Sequence, residues 1–179
     1  MLSRETAALM LVDVQGKLAR TMTEPDRLIQ NLATLIQGAQ ALSLPIFWIE
    51  QYPQGLGPTH SELQRLLDGV KRYEKMSFGV GGDPELMSDL AVSGRHQLLL
   101  CGIESHVCVY QSAAQLLQAG FEVDVVVDGV DARTPLNRRL GLERMQRLGA
   151  HLTSVEMALF ELTERCDDPA FKSILSLVK

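Results

Sequence analysis

Two periodicities alternate along the chain. Continuous apolar runs of strand length occur at Ala8–Val14 (ALMLVDV), Pro45–Ile49 (PIFWI) and Gln97–Cys101 (QLLLC, ended by Gly102). Phe121–Val127 (FEVDVVV) reads as a strand with some alternation, and His151–Val155 as a last short one. Between them the apolar spacing becomes helical. Asp26–Leu42 carries Leu28, Leu32, Leu35, Ile36 and Ala39 on one face. Asp83–Leu90 opens with Asp-Pro, a helix start. His106–Ala119 is helical in pattern and closed by Gly120. Pro135–Leu148 has Pro at its start and Gly149 after its end. The tail beyond Val155 is mostly helical in pattern.

Strands alternating with helices of this length predict βαβ units and a parallel sheet. Unbroken apolar strands agree, because they must be covered on both faces. The expected fold is therefore a three-layer α/β/α sandwich. Such sheets bind ligands at the carboxyl ends of their strands. That rule selects Asp13–Lys17, Glu50–Gly57, Gly102–Cys108 and Asp128–Thr134. With no internal repeat and no linker, the 179 residues read as one domain, 1–179.

Apolar residues make up 46% and charged residues 22%, which excludes general disorder. Lys plus Arg is 17 against 22 Asp plus Glu, a net charge of −5 with no basic cluster. Nucleic acid and anionic membranes are thus poor partners. No apolar run approaches the ~20 residues that span a bilayer. Met1–Thr6 mixes Arg4 with Glu5 and lacks a signal-peptide core. Cys101, Cys108 and Cys166 are odd in number and form no C-x-x-C pair, so free thiols and a cytoplasmic setting are expected.

The common cofactor signatures do not appear. No G-x-G-x-x-G follows the first strand, and no G-x-x-x-x-G-K-[ST] occurs. Gly79–Gly82 (GVGG) reads as a flexible turn. His60, His96, His106 and His151 form no metal-spaced pair. Neither cofactor nor metal is expected.

Three residues carry possible chemistry. Cys108 falls in the first turn of an expected helix, where the helix dipole favours a thiolate and amides can hold an oxyanion. The alternative is a small buried hydrophobe, which is what most free cysteines are. Asp13 interrupts an apolar strand near its carboxyl end. It needs a partner or a raised pKa, unless it is a turn or capping residue. Lys75, in YEKMSF, is by itself an ordinary solvated lysine or a catalytic one.

Taken together, LVDVQ, EKMSF and GIESHVCV, in that order and over Thr6 to Ser154, resemble the cysteine hydrolases of the isochorismatase-like superfamily. The resemblance implies a six-stranded parallel sheet and a catalytic triad of Asp13, Lys75 and Cys108. It also implies a non-proline cis peptide at Ile103-Glu104 and an oxyanion hole from the backbone N–H groups of Glu104 and Cys108. The implied reaction is hydrolysis of a small amide-like substrate through a thioester, by dimers or higher homo-oligomers. Nicotinamidase-like members carry a D-x-H metal motif where this chain has Glu50-Gln51-Tyr52, so no zinc site is carried over. His60 is either a stray ligand or a loop histidine. The stretch EQYPQGLGPT resembles the isochorismatase domain-containing branch; Gln51, Tyr52 and Trp48, with Gln15, are candidates to line the pocket, and a loop packed by its own side chains is the alternative reading. Two other functions share these motifs: cleavage of a vinyl ether, and a catalytically silent binding or scaffold protein. A redox role pairing Cys108 with a second thiol ranks below them, since Cys101 lies seven residues away in a strand.

Overall fold

The computed structural model describes all residues, 1–179. The apolar runs form the strands β1 (Ala7–Val12), β2 (Ile46–Gln51), β4 (Gln97–Gly102), β5 (Glu122–Val130) and β6 (His151–Thr153). A sixth strand, β3 (Arg72–Lys75), has no apolar run to announce it. Nine helices complete the chain: α1 (Gly16–Ala19), α2 (Pro25–Ala41), α3 (Pro53–Leu56), α4 (Ser61–Leu66), α5 (Pro84–Val92), α6 (Tyr110–Gln118), α7 (Pro135–Arg147), α8 (Val155–Thr163) and α9 (Phe171–Val178).

All strand pairs are parallel, in the order β3-β2-β1-β4-β5-β6. Because side chains alternate across a strand, the sheet divides its apolar residues between two cores. Leu9, Leu11, Leu99 and Cys101 pack with α2, α4, α8 and α9. Ala8, Met10, Leu98 and Leu100 pack with α5, α6 and α7. Every residue of β1 and β4 is buried, and a Leu or Met buried in this way contributes roughly 1.5–3 kcal/mol. The chain starts in the middle, winds out to β3, and crosses back to β4. The order reverses between β1 and β4, and in such sheets ligand sites form outside the carboxyl ends of the strands at a reversal of this kind.

The backbone departs from the sequence pattern at three places around this reversal. Strand β1 stops at Val12, and Asp13 turns out of it with φ 56. The expected helix from His106 begins with a π turn, Ser105–Val109, and becomes α-helical only at Tyr110. The glycine run is a tight turn pinned to α6: Gly81 N–H donates to Gln115 Oε1 at 2.7 Å, and a Cβ on Gly79 would lie 2.2 Å from that oxygen.

Gly102 closes β4 with φ +118, and a Cβ there would sit 2.0 Å from the Val12 carbonyl oxygen. That neighbour is backbone of the adjacent paired strand and cannot step aside. Gly94 also has positive φ (+69) but nothing within 4 Å of its Cβ position. Gly94→Ala should therefore cost only the left-handed penalty, ~1–2 kcal/mol. Gly102→Ala should cost more than ~3 kcal/mol or prevent folding. Urea unfolding of the two variants checks this; equal losses would mean that the close β1–β4 approach is not limiting.

Candidate active site

Asp13 is the first residue past β1, and its N–H donates to Ile49 O of β2 at 3.1 Å. The positive φ turns it out of the strand; the residue is only 1% exposed. Its Oδ2 accepts from Lys75 Nζ at 2.7 Å, while Oδ1 is buried without a hydrogen-bond partner. The segment behind it is braced by Gln15, whose Nε2 donates to Gln51 O (3.0 Å) and Gly57 O (2.7 Å). Gln15 Oε1 accepts from the Gln51 N–H at 2.7 Å.

Lys75 ends the edge strand β3, where alternation sends Arg72 and Glu74 to solvent and Tyr73 and Lys75 inward. Its ammonium meets four oxygens: Asp13 Oδ2, Gln51 Oε1 (2.7 Å), Phe78 O (2.8 Å) and Ser77 O (3.2 Å). Gln51 is oriented in turn, because its Nε2 donates to Met76 O at 2.8 Å. Three N–H donors facing four acceptors leave Lys75 nothing with which to bind a ligand.

Cys108 stands in the π turn that follows β4. Glu104 O accepts from both Val107 N–H (3.0 Å) and Val109 N–H (3.2 Å), which widens the turn. The Ile103-Glu104 peptide bond is cis. The Glu104 backbone N–H favours the ionised form of Cys108, whereas the Ser105 N–H is taken by Asp131 O at 2.8 Å. The Glu104 carboxylate is held by Arg133 Nε at 3.1 Å to both oxygens. Helix α7 lies hard against this turn, since a Cβ on Gly141 would be 2.6 Å from Ser105 O. Ser112, one helical turn after the cysteine and fully buried, donates to Cys108 O at 2.6 Å and accepts from Val80 N–H at 3.2 Å. The nucleophile turn and the loop that cradles Lys75 are thereby joined.

Burial and charge set the protonation. Asp13 is pushed up to about 6, chiefly by burial, with Lys75 pulling it back. Cys108 is pushed up to about 12, first by burial and then by the Asp13 charge, against Lys75. The helix-terminus expectation of a resting thiolate is thus corrected: Cys108 lies before the α-helix begins, and the Asp13 charge opposes ionisation. Cys108 is 8% exposed and reachable, whereas Cys101 is fully buried and its Sγ points to Met10 O at 3.4 Å.

Of the residues singled out in the sequence, Asp13, Lys75 and Cys108 meet in one crevice, with the Glu104 N–H beside them. Gln15 and Trp48 do not line it. Gln15 has no exposed surface and a fully used amide; Trp48 packs in the α2-side core and donates from Nε1 to Thr59 Oγ1 at 2.8 Å. Gln51 steadies Lys75, and Tyr52 is half exposed at the start of α3. His60 precedes α4, its Nδ1 buried and unpaired. No three His, Cys, Asp or Glu side chains converge as metal ligands do. Ser112 and Gly141 were missed; a serine four residues after the cysteine on an apolar helix face was the available signal for the first.

Residues 7–157 match the family model described as the isochorismatase domain. Isochorismatase domain-containing protein 2 of Danio rerio is 34% identical over 99% of this chain and 89% of its own length. The structure of MAR1 ribonuclease from Caenorhabditis elegans is 32% identical, with TM-score 0.93 over 99% of this chain and 91% of that one. The YcaC gene product of Escherichia coli, described as an octameric hydrolase of unknown specificity, is 25% identical, with TM-score 0.92 over 98% and 89% of the two chains.

Removing the ammonium strands a buried carboxylate. Lys75→Met should destabilise the protein by about 3 kcal/mol near pH 8, the order expected for breaking a buried pair. Asp13 has its folded pKa raised above the unfolded value, so below about 6 the folded carboxyl is already protonated and the loss should shrink. Chemical unfolding at about pH 5 and about pH 8 checks this; a loss independent of pH would mean that Lys75 does not compensate the Asp13 charge.

Proposed function

The chain belongs to the isochorismatase family of hydrolases, beside the isochorismatase domain-containing proteins, and from that premise we propose a cysteine hydrolase acting on a small amide-like substrate. The observation that carries the reading is the meeting of a reachable thiol, a carboxylate with one unpaired oxygen, and a lysine already saturated by protein oxygens. Asp13 Oδ1 takes the Cys108 proton as the sulfur attacks the carbonyl carbon. The transfer relieves what opposed it: with Asp13 neutral, the charge holding the thiol up is gone and the Lys75 ammonium favours the thiolate. The tetrahedral oxyanion is held by the backbone N–H groups of Glu104 and Cys108, each such donor contributing ~3–4 kcal/mol. Collapse breaks the C–N bond, the amine leaves with the Asp13 proton, and a thioester remains. Water then attacks the thioester and gives a proton to Asp13; collapse breaks the C–S bond, releases the acid, and the Asp13 proton returns to the Cys108 sulfur.

Lys75 acts by charge balance rather than by contact with substrate. That favours an uncharged amide over a dianionic vinyl ether such as isochorismate, which would need free cations. A net charge of −5 likewise opposes the phosphate contacts of an RNA substrate. We read the protein as a cytoplasmic homo-oligomer, dimer or higher. Its three cysteines are all free, α7 exposes Leu136 and Leu140 one turn apart, and the YcaC neighbour is octameric.

Asp13→Asn and Cys108→Ser should each lower turnover of a small-amide panel by about 10³-fold or more. Wild-type kcat/KM should fall as pH drops through about 6, where Asp13 becomes protonated. Iodoacetamide should label Cys108 well ahead of Cys101, and Asp13→Asn should slow Cys108 while leaving exposed Cys166 unchanged. Intact-mass spectra after exposure to the amides should show an acyl increment on Cys108. Labelling of Cys108 that is indifferent to Asp13 would remove the base; absence of any Cys108-dependent turnover would favour the silent binding protein.

A further inference from the structure

Glu50 is a buried carboxylate near the triad whose side chain the mechanism leaves unused. It sits on β2 with no exposed surface. Its Oε1 accepts from the Thr59 N–H at 2.6 Å and from Thr59 Oγ1 at 2.7 Å. Its Oε2 is buried and has no hydrogen-bond partner. A buried charge of this kind is costly unless paired, and the nearest cation stands off: Arg72 Nη1 is 3.5 Å away. Arg72 is 40% exposed, lies over the Trp48 ring, and shares its guanidinium with Glu74 at 2.7 Å. A purely structural acceptor for Thr59 would not require a charge, since an amide oxygen would serve.

The Thr59 segment leads straight to the base. Gly16 N–H donates to Pro58 O at 2.9 Å, His60 N–H donates to Val14 O at 2.8 Å, and Gln15 bridges Thr59 in antiparallel fashion. The backbone just beyond Asp13 is therefore strapped to the loop that Glu50 grips. We infer that Glu50 is a positioning residue for Asp13: its carboxylate clamps residues 58–60 onto residues 14–16 and keeps a second anion near the base, offset only from the surface by Arg72. This rests on the hydrolase reading, in which Asp13 is the base.

The titratable groups around Asp13 are Lys75, which favours its ionised form, the neutral Cys108 thiol, and Glu50. The Glu50 charge favours the protonated form and so strengthens Asp13 as a proton acceptor. Around Glu50 stand Arg72 and, through it, Glu74; His60 lies next to Thr59. Glu50 and Arg72 should then act on Asp13 with opposite sign. Losing the Glu50 charge should let Asp13 ionise at lower pH, and losing the Arg72 charge should do the reverse.

The test is the pH dependence of Cys108 alkylation by iodoacetamide in the full chain, which needs no known substrate. In the wild type the rate should rise through about pH 6. Glu50→Gln keeps an oxygen for Thr59 and removes the charge. It should move that rise to lower pH by about half a unit, with little change in the urea midpoint. Arg72→Gln should move it to higher pH. A Glu50→Gln profile that superposes on the wild type, or that drops equally at every pH, overturns the inference and leaves the triad standing. If Glu50→Gln does not fold, Arg72→Gln decides: an upward move supports the inference, an unmoved profile overturns it. A wild-type rate with no acid limb overturns the Asp13 base and the inference together.

Discussion

The ion pair between Asp13 and Lys75 is the constraint around which the site is organised. Both partners are buried, at 1% and 3% exposure, and taking each from water costs several kcal/mol before any attraction is counted. The pairing does not recover all of it. A carboxyl raised from 3.8 to about 6 destabilises the fold by ~3 kcal/mol when ionised. That cost is absent below the unfolded pKa and complete once pH exceeds the folded one. The protein thus carries at neutral pH a carboxylate that holds its charge unwillingly, which is what a proton acceptor for a thiol needs to be.

The surrounding structure can be understood as support for that pair. Parallel strands with a reversal between β1 and β4 bring the ends of three distant segments to one crevice. The strand that carries the lysine is an edge strand, four residues long, whose inward positions are Tyr73 and Lys75. Two glutamines then lock the pair: Gln15 fixes the backbone beyond Asp13, and Gln51 Oε1 accepts from Lys75 Nζ. On the other wall, Gly141 lets α7 press against the turn that carries Cys108.

The central strands were legible because burial on both faces leaves unbroken apolar runs such as ALMLV and QLLLC, and turn residues mark their ends. The strand RYEK was not, because an edge strand buries one face only and three of its four residues are charged. The π turn escaped because a pattern at 3.6 residues cannot show a bond from Val109 back to Glu104. The three motif residues were legible by resemblance, but the state of the thiol was not. Local position suggests a helix terminus that lowers its pKa; the tertiary structure adds burial and a neighbouring carboxylate that raise it. Gln15 is spent on backbone and Trp48 on the core and Thr59, and polar or aromatic character alone does not say whether a side chain faces a cavity or its own backbone.

The Ser112 hydroxyl, bonded at once to the carbonyl of Cys108 and the amide of Val80, couples two parts that many enzymes keep separate. The loop carrying Met76 and Phe78 cannot swing outward without tugging the sulfur-bearing turn along with it. A displacement of this edge is therefore felt at Cys108. Any movement that keeps both bonds must carry the lysine loop and the sulfur together, so the two are one mechanical unit.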